Sequence, residues 1–90
     1  MSYKLKIDGK KMKNADFVGD VMDQLQQAFI ESGMTEKQVA DKAGIYEITI
    51  VDMLEYGANL TLRNISSLAH ALDRDIVFKL VDPNKDHEPI

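Results

Sequence analysis

Residues 35–57, TEKQVADKAGIYEITIVDMLEYG, leave a folding chain few options, because two apolar stripes at helical spacing are separated by a single glycine. Thr35 with Gln38 three residues later is a capping-box start, in which hydroxyl and amide each satisfy a backbone group left over at a helix end. Val39, Ala40 and Ala43 then fall on one face, and Ala40 is small where a second helix must cross closely. Gly44 accepts the positive φ that reverses the chain. Ile45, Ile50, Met53 and Leu54 make the inward stripe of the next helix, and Gly57 follows as its stop. The spacing predicts two short helices joined by a tight turn.

Ala40, Gly44, Ile45 and Ile50, with Val39 and Ala43 before and Met53 after, resemble the helix-turn-helix of the phage Cro and repressor (XRE-like) family. The phrase GANLTLRNISSLAHAL resembles the loop and following helix of many members, so the resemblance runs to about Leu72. It implies a mainly-α, four- to five-helix repressor-like domain. It also implies a bacterial or phage transcription regulator that binds double-stranded DNA as a homodimer, with the second helix of the motif in the major groove.

Ninety residues, 44% of them apolar, suit one small globular domain. No apolar run is long enough to span a membrane and MSYKLKIDGKK is not a signal peptide, so a soluble cytoplasmic protein with no membrane partner is expected. Without cysteine there is no disulfide framework and no thiolate nucleophile. His70 and His87 stand apart, with no spacing that suggests a metal or catalytic cluster. No phosphate loop, paired catalytic carboxylates or Ser-His arrangement is present, and neither an enzyme nor a cofactor is expected.

Tyr3 to Ile7 alternates apolar and cationic residues and reads as a strand at 3–7. Asp8-Gly9 is a turn signal, although Lys10 to Lys13 make a poor hairpin partner with only Met12 to bury. A helix follows from Asn14 or Asp16 to about Ser32, with Phe17, Val21, Leu25, Ala28 and Phe29 inward and Gly33 as its cap. After Gly57, Thr61 caps a helix bearing Leu62, Ile65, Leu68, Ala69 and Leu72. Asp73-Arg74-Asp75 breaks that helix, and residues 76–81, IVFKLV, read as a second strand. The domain is expected to occupy residues 1–82, leaving 83–90 as a polar tail.

Two strands at opposite ends of the chain need partners. They pair within one subunit, or the 76–81 strands of two subunits pair around a two-fold axis. Ile76, Val77, Phe78, Lys79, Leu80 and Val81 are the candidate dimer interface. Ile76, Phe78 and Leu80 are expected to pack on the helices.

With Ile50 inward, the helical wheel puts Ile48, Asp52 and Glu55 outward, Val51 and Glu47 on one flank and Tyr46 near the helix start; Tyr46, Glu47, Ile48, Thr49, Val51 and Asp52 are the candidate base-reading residues. Tyr56 is expected to pack at the helix end. Glu47 suits a cytosine amino group, Tyr46 and Thr49 suit phosphate, and Ile48 or Val51 suits a thymine methyl. Candidate phosphate contacts are Lys10, Lys11, Lys13, Lys37, Gln38 and Lys42. The net charge of −4 is unevenly spread: five lysines and one aspartate give residues 1–13 a local +4, leaving −8 beyond them. Because affinity for a duplex comes largely from cations, the acidic second helix also admits a protein partner, with Ile48 and Val51 as an apolar spot inside an acidic rim.

Overall fold

The computed structural model describes residues 3–8 and 14–82. In chain order these form β1 (Tyr3–Asp8), α1 (Asn14–Ser32), α2 (Glu36–Ala43), α3 (Glu47–Val51) with a π-helical continuation (Asp52–Tyr56), α4 (Leu62–Ala71) and β2 (Arg74–Lys79). The fold is mainly α, with four helices and two short strands among the described residues. Lys10 to Lys13, read as a poor hairpin partner, and the tail at 83–90 lie outside them.

Each helix delivers its apolar stripe to one core. Val21, Leu25 and Ala28 come from α1, Val39 and Ala40 from α2, and Ile50, Met53 and Leu54 from α3 and its continuation. Ile65, Leu68, Ala69 and Ala71 come from α4, with Leu72 just beyond it. Phe17, Phe29, Met34, Ala43, Ile45, Leu60 and Ile76 pack around the margin. The chain passes from α1 to α2 through Gly33 at φ 69°, where the Ser32 hydroxyl donates to the Phe29 carbonyl and accepts from the Met34 N–H at 3.1 Å.

Two inward assignments fail at the edges of this core. Leu62 is exposed because it is the first residue of α4, standing at the loop end before the helix enters the core at Ile65; Ala71 takes a buried place in its stead. Tyr56 is exposed rather than packed. It closes a π-helical turn, whose wider winding displaces residues from the positions an α-helical wheel assigns.

The strands pair within the chain. β1 and β2 run parallel, with Tyr3 opposite Arg74, Leu5 opposite Ile76 and Asp8 opposite Lys79. A parallel pair needs a long crossover, which the four helices between them supply. Helix α4 ends more abruptly than expected, with Asp73 at φ 58°, so β2 begins at Arg74, not Ile76, and finishes at Lys79, not Val81. Ile76 packs against the core, whereas Phe78 is 56% exposed and Leu80 83% exposed. The alternation that should bury all three fails because the strand runs out past the helical layer after Ile76.

Arg74 ties the root of β2 to the end of α1. Its guanidinium donates to a Glu31 carboxylate oxygen at 3.0 Å and to the Leu72 carbonyl at 3.0 Å, with only a tenth of its side chain exposed. The other Glu31 oxygen accepts from the Gln27 amide at 3.0 Å. The Gln27 hydrogen bond first, and then Arg74, hold the Glu31 carboxyl below its ordinary value. A carboxylate lowered on folding stabilises the fold above its unfolded pKa, and that contribution is lost as pH falls through the folded value. Glu31→Gln is therefore expected to melt lower than the parent at neutral pH and to lose less on acidification. Equal acid sensitivity in melts of the two proteins would remove Glu31 from this account.

Candidate nucleic-acid interface

The unit from α2 to the π-helical turn is held by local hydrogen bonds that the residue types dictate. The Thr35 hydroxyl accepts from the Gln38 N–H at 3.1 Å while the Gln38 side chain accepts from the Thr35 N–H at 2.9 Å, completing the capping box. At the other end of α2, Gly44 takes φ 74° and its N–H reaches the Ala40 carbonyl at 2.9 Å; the Ile45 N–H reaches the same oxygen at 3.2 Å. One left-handed residue thus closes α2 and turns the chain toward α3. The Tyr46 carbonyl starts α3 by accepting from the Thr49 and Ile50 N–H groups. Its side chain makes no capping bond.

With Ile50 fully buried, the opposite face of α3 meets solvent. Tyr46 is 81% exposed and Ile48 65% exposed. Glu47 and Glu55 are exposed beside them, while Thr49 and Val51 are half-buried on the flanks. Asp52 departs from the expected reading surface. It is half-buried, and its carboxylate accepts from the Asn59 amide at 3.1 Å, so it supports the following loop.

That loop is the part sequence patterns missed. The Asp52 carbonyl accepts the N–H groups of Gly57 and Ala58, Gly57 and Asn59 take positive φ, and the Asn64 side chain donates to the Asn59 carbonyl at 2.8 Å. Thr61 then caps α4 by accepting from the Asn64 N–H at 3.0 Å. The Gln26 amide, on α1, donates to the Leu54 carbonyl and so satisfies a carbonyl at the wide end of the turn. Of these, the Gly57 stop and the Thr61 cap have a readable signal in sequence. The Gln26 contact spans 28 residues and has none.

The candidate phosphate contacts divide. Lys37 is exposed and lies 3.6 Å from Asp41, also exposed. Such a pair is worth well under about 1 kcal/mol, so Lys37 can exchange it for a phosphate at little cost. Gln38 commits its carbonyl oxygen to the capping box, which leaves phosphate recognition to its amide nitrogen. Lys42 is exposed in the last turn of α2. Lys10, Lys11 and Lys13 lie outside the described residues. Over residues 35–57 the cations Lys37 and Lys42 face Glu36, Asp41, Glu47, Asp52 and Glu55, so the surface is acidic overall.

Ile76, Val77 and Val81 are half-buried, and Phe78, Lys79 and Leu80 exposed, on or next to β2. Among the described residues no cluster of histidine and carboxylate side chains is placed to hold a metal ion, and no helix is long and apolar enough to cross a membrane. Comparison with protein-family models, with curated proteins and with solved structures finds no match for this chain.

Proposed function

We propose that the protein is a cytoplasmic, sequence-specific DNA-binding regulator that reads duplex DNA with the solvent face of α3. The observation that carries the proposal is the division of α3 between a buried anchor, Ile50, and an outer face on which Tyr46 and Ile48 are mostly exposed. A rigid helix-turn-helix with one face in the core and the other in solvent suits insertion into a major groove. Tyr46 and Thr49 supply hydroxyls, Glu47 an acceptor for a cytosine amino group, and Ile48 and Val51 apolar contacts for thymine methyls. Lys37, Lys42 and the Lys10, Lys11, Lys13 cluster supply phosphate contacts, which must offset Glu47 and Glu55. The activity proposed is binding, not catalysis.

Fluorescence anisotropy with a randomised duplex pool and with the gene's own upstream region tests this. Binding is expected to weaken with salt by about 0.9 log units per log unit of salt for each phosphate neutralised. Lys37→Ala and Lys42→Ala are expected to weaken all sequences alike, and Tyr46→Ala or Thr49→Ala to change the preference among them. A folded protein that binds neither duplex at low salt would overturn the proposal.

The second reading, a protein-binding module such as an antitoxin or adaptor, is favoured by one specific observation. The exposed apolar residues Tyr46 and Ile48 are flanked by the exposed carboxylates Glu47 and Glu55, a composition suited to a partner with basic and apolar groups. Under this reading Ile48→Asp abolishes partner binding without unfolding the chain, and loss of duplex binding has no bearing on it.

A further inference from the structure

The end of α3 is wound one residue slack. When a glycine stops an α-helix, its own N–H and that of the next residue turn back onto carbonyls three to five residues earlier. For Gly57 and Ala58 those carbonyls would belong to Met53 and Leu54. Both N–H groups reach further back, to the Asp52 carbonyl, which lies 3.0 Å from the Ala58 nitrogen. The Leu54 carbonyl accepts from the Gln26 side-chain amide, which α1 supplies. Gln26 thus occupies an acceptor that an α ending would use for its own backbone.

The winding decides where Tyr56 points. At the α-helical advance of about 100° per residue, Tyr56 would stand about 120° from Ile50 and about 80° from Ile48. A π turn fits more residues into each turn, so each advances by a smaller angle and Tyr56 swings back toward the direction of Ile48. There it meets solvent, 73% exposed, on the side that Tyr46 and Ile48 also leave open. A helix whose first residues read base edges carries its last turn toward the groove wall, where the partner is phosphate. A phenol fits that place, since its hydroxyl donates to a phosphate oxygen. It also brings no negative charge, unlike its exposed neighbour Glu55.

We propose that Tyr56 is a further phosphate-contacting residue of the reading face, and that Gln26 is the positioning residue that puts it there by holding the π turn. The contact rests on the DNA-binding reading of α3; the winding does not. Gln26 is half-buried between α1 and the turn, and acts through Tyr56 alone.

The two halves are tested separately. Through-hydrogen-bond NMR couplings in the free protein are expected to link the Gly57 amide to the Asp52 carbonyl, and the Gln26 side-chain amide to the Leu54 carbonyl. In Gln26→Met, which keeps the side-chain length and removes the donor, the Gly57 amide is expected to shift to Met53 or Leu54. A parent without the Gln26 coupling, or a folded variant that keeps the Asp52 coupling, overturns the positioning role. If circular dichroism shows the variant unfolded, the couplings of the parent decide. With a duplex that binds the parent, Tyr56→Phe is expected to weaken binding about tenfold for all sequences, since a hydrogen bond to a charged group is lost. The salt slope is expected to stay unchanged, since no charge is lost. Gln26→Met is expected to weaken binding as much, and the double variant no further, because both changes remove one contact. Tyr56→Phe binding as tightly as the parent, or two losses that add, overturns the contact and leaves DNA reading by α3 standing. A parent that binds no duplex overturns that reading and the contact together, while the couplings still decide the winding.

Discussion

Ile50→Ala is expected to cost about 3 kcal/mol of folding free energy, a large share of what a small domain has. Ile50 is fully buried and is the one α3 residue before the π-helical turn that reaches the core, where it joins Val39, Met53 and Leu68. Removing its methyl groups loses transfer energy and leaves a cavity that four short elements cannot readily collapse. Ile48→Ala, two residues away and mostly exposed, is expected to change stability by no more than about 0.5 kcal/mol. Urea denaturation of both variants measures the contrast. Similar shifts in midpoint would show that α3 does not divide into an inward and an outward face, and the proposed reading surface would fall with it.

The second large effect is expected at Gly57. Its φ of 64° is costly for any residue with a Cβ, and more so for a β-branched one. An added Cβ would also lie 2.6 Å from Met22 Sδ and 3.5 Å from a Val18 methyl. Gly57→Val is expected to cost about 3 kcal/mol from the two causes together. Gly57→Ala should cost less, since the Met22 thioether is flexible and can swing aside. Combining Gly57→Ala with Met22→Ala separates the causes in a denaturation cycle: the steric part appears as coupling between the sites, and the backbone part persists in the double variant. A Gly57→Val protein as stable as the parent would mean that the turn between α3 and α4 adopts another conformation.

Gly57 was legible as a helix stop because positive φ at a helix end is a local demand that one residue type meets cheaply. The same holds for the Thr35 capping box, the Gly44 turn, the Gly33 stop and the Thr61 cap, each decided within about four residues. The inward stripes of α1 and α3 were legible for a related reason, since burial follows the helical period wherever the helix is regular. Leu62 and Tyr56 escaped that logic. One sits before its helix reaches the core, and the other closes a turn whose winding is no longer α.

The outer face of α3 follows from the position of Ile50, so most of the candidate site could be read from periodicity alone. The role of Asp52 could not. It is bound to Asn59, seven residues away, by a loop conformation that no spacing announces. Among the phosphate candidates, Gln38 was foreseeable as a capping residue, whose carbonyl oxygen is taken by the Thr35 N–H.

Local preferences over a few residues, then, determined the four helices, their caps and which face of α3 meets solvent. Tertiary structure alone decided that the two terminal strands pair in parallel, that Arg74 grips Glu31 across 43 residues, and that Gln26 on α1 satisfies the end of a π-helical turn. These contacts arise only once the packed helices bring distant parts of the chain together. A local pattern carries the cost of its own backbone angles, but it does not carry the identity of a partner supplied by a fold that has yet to form.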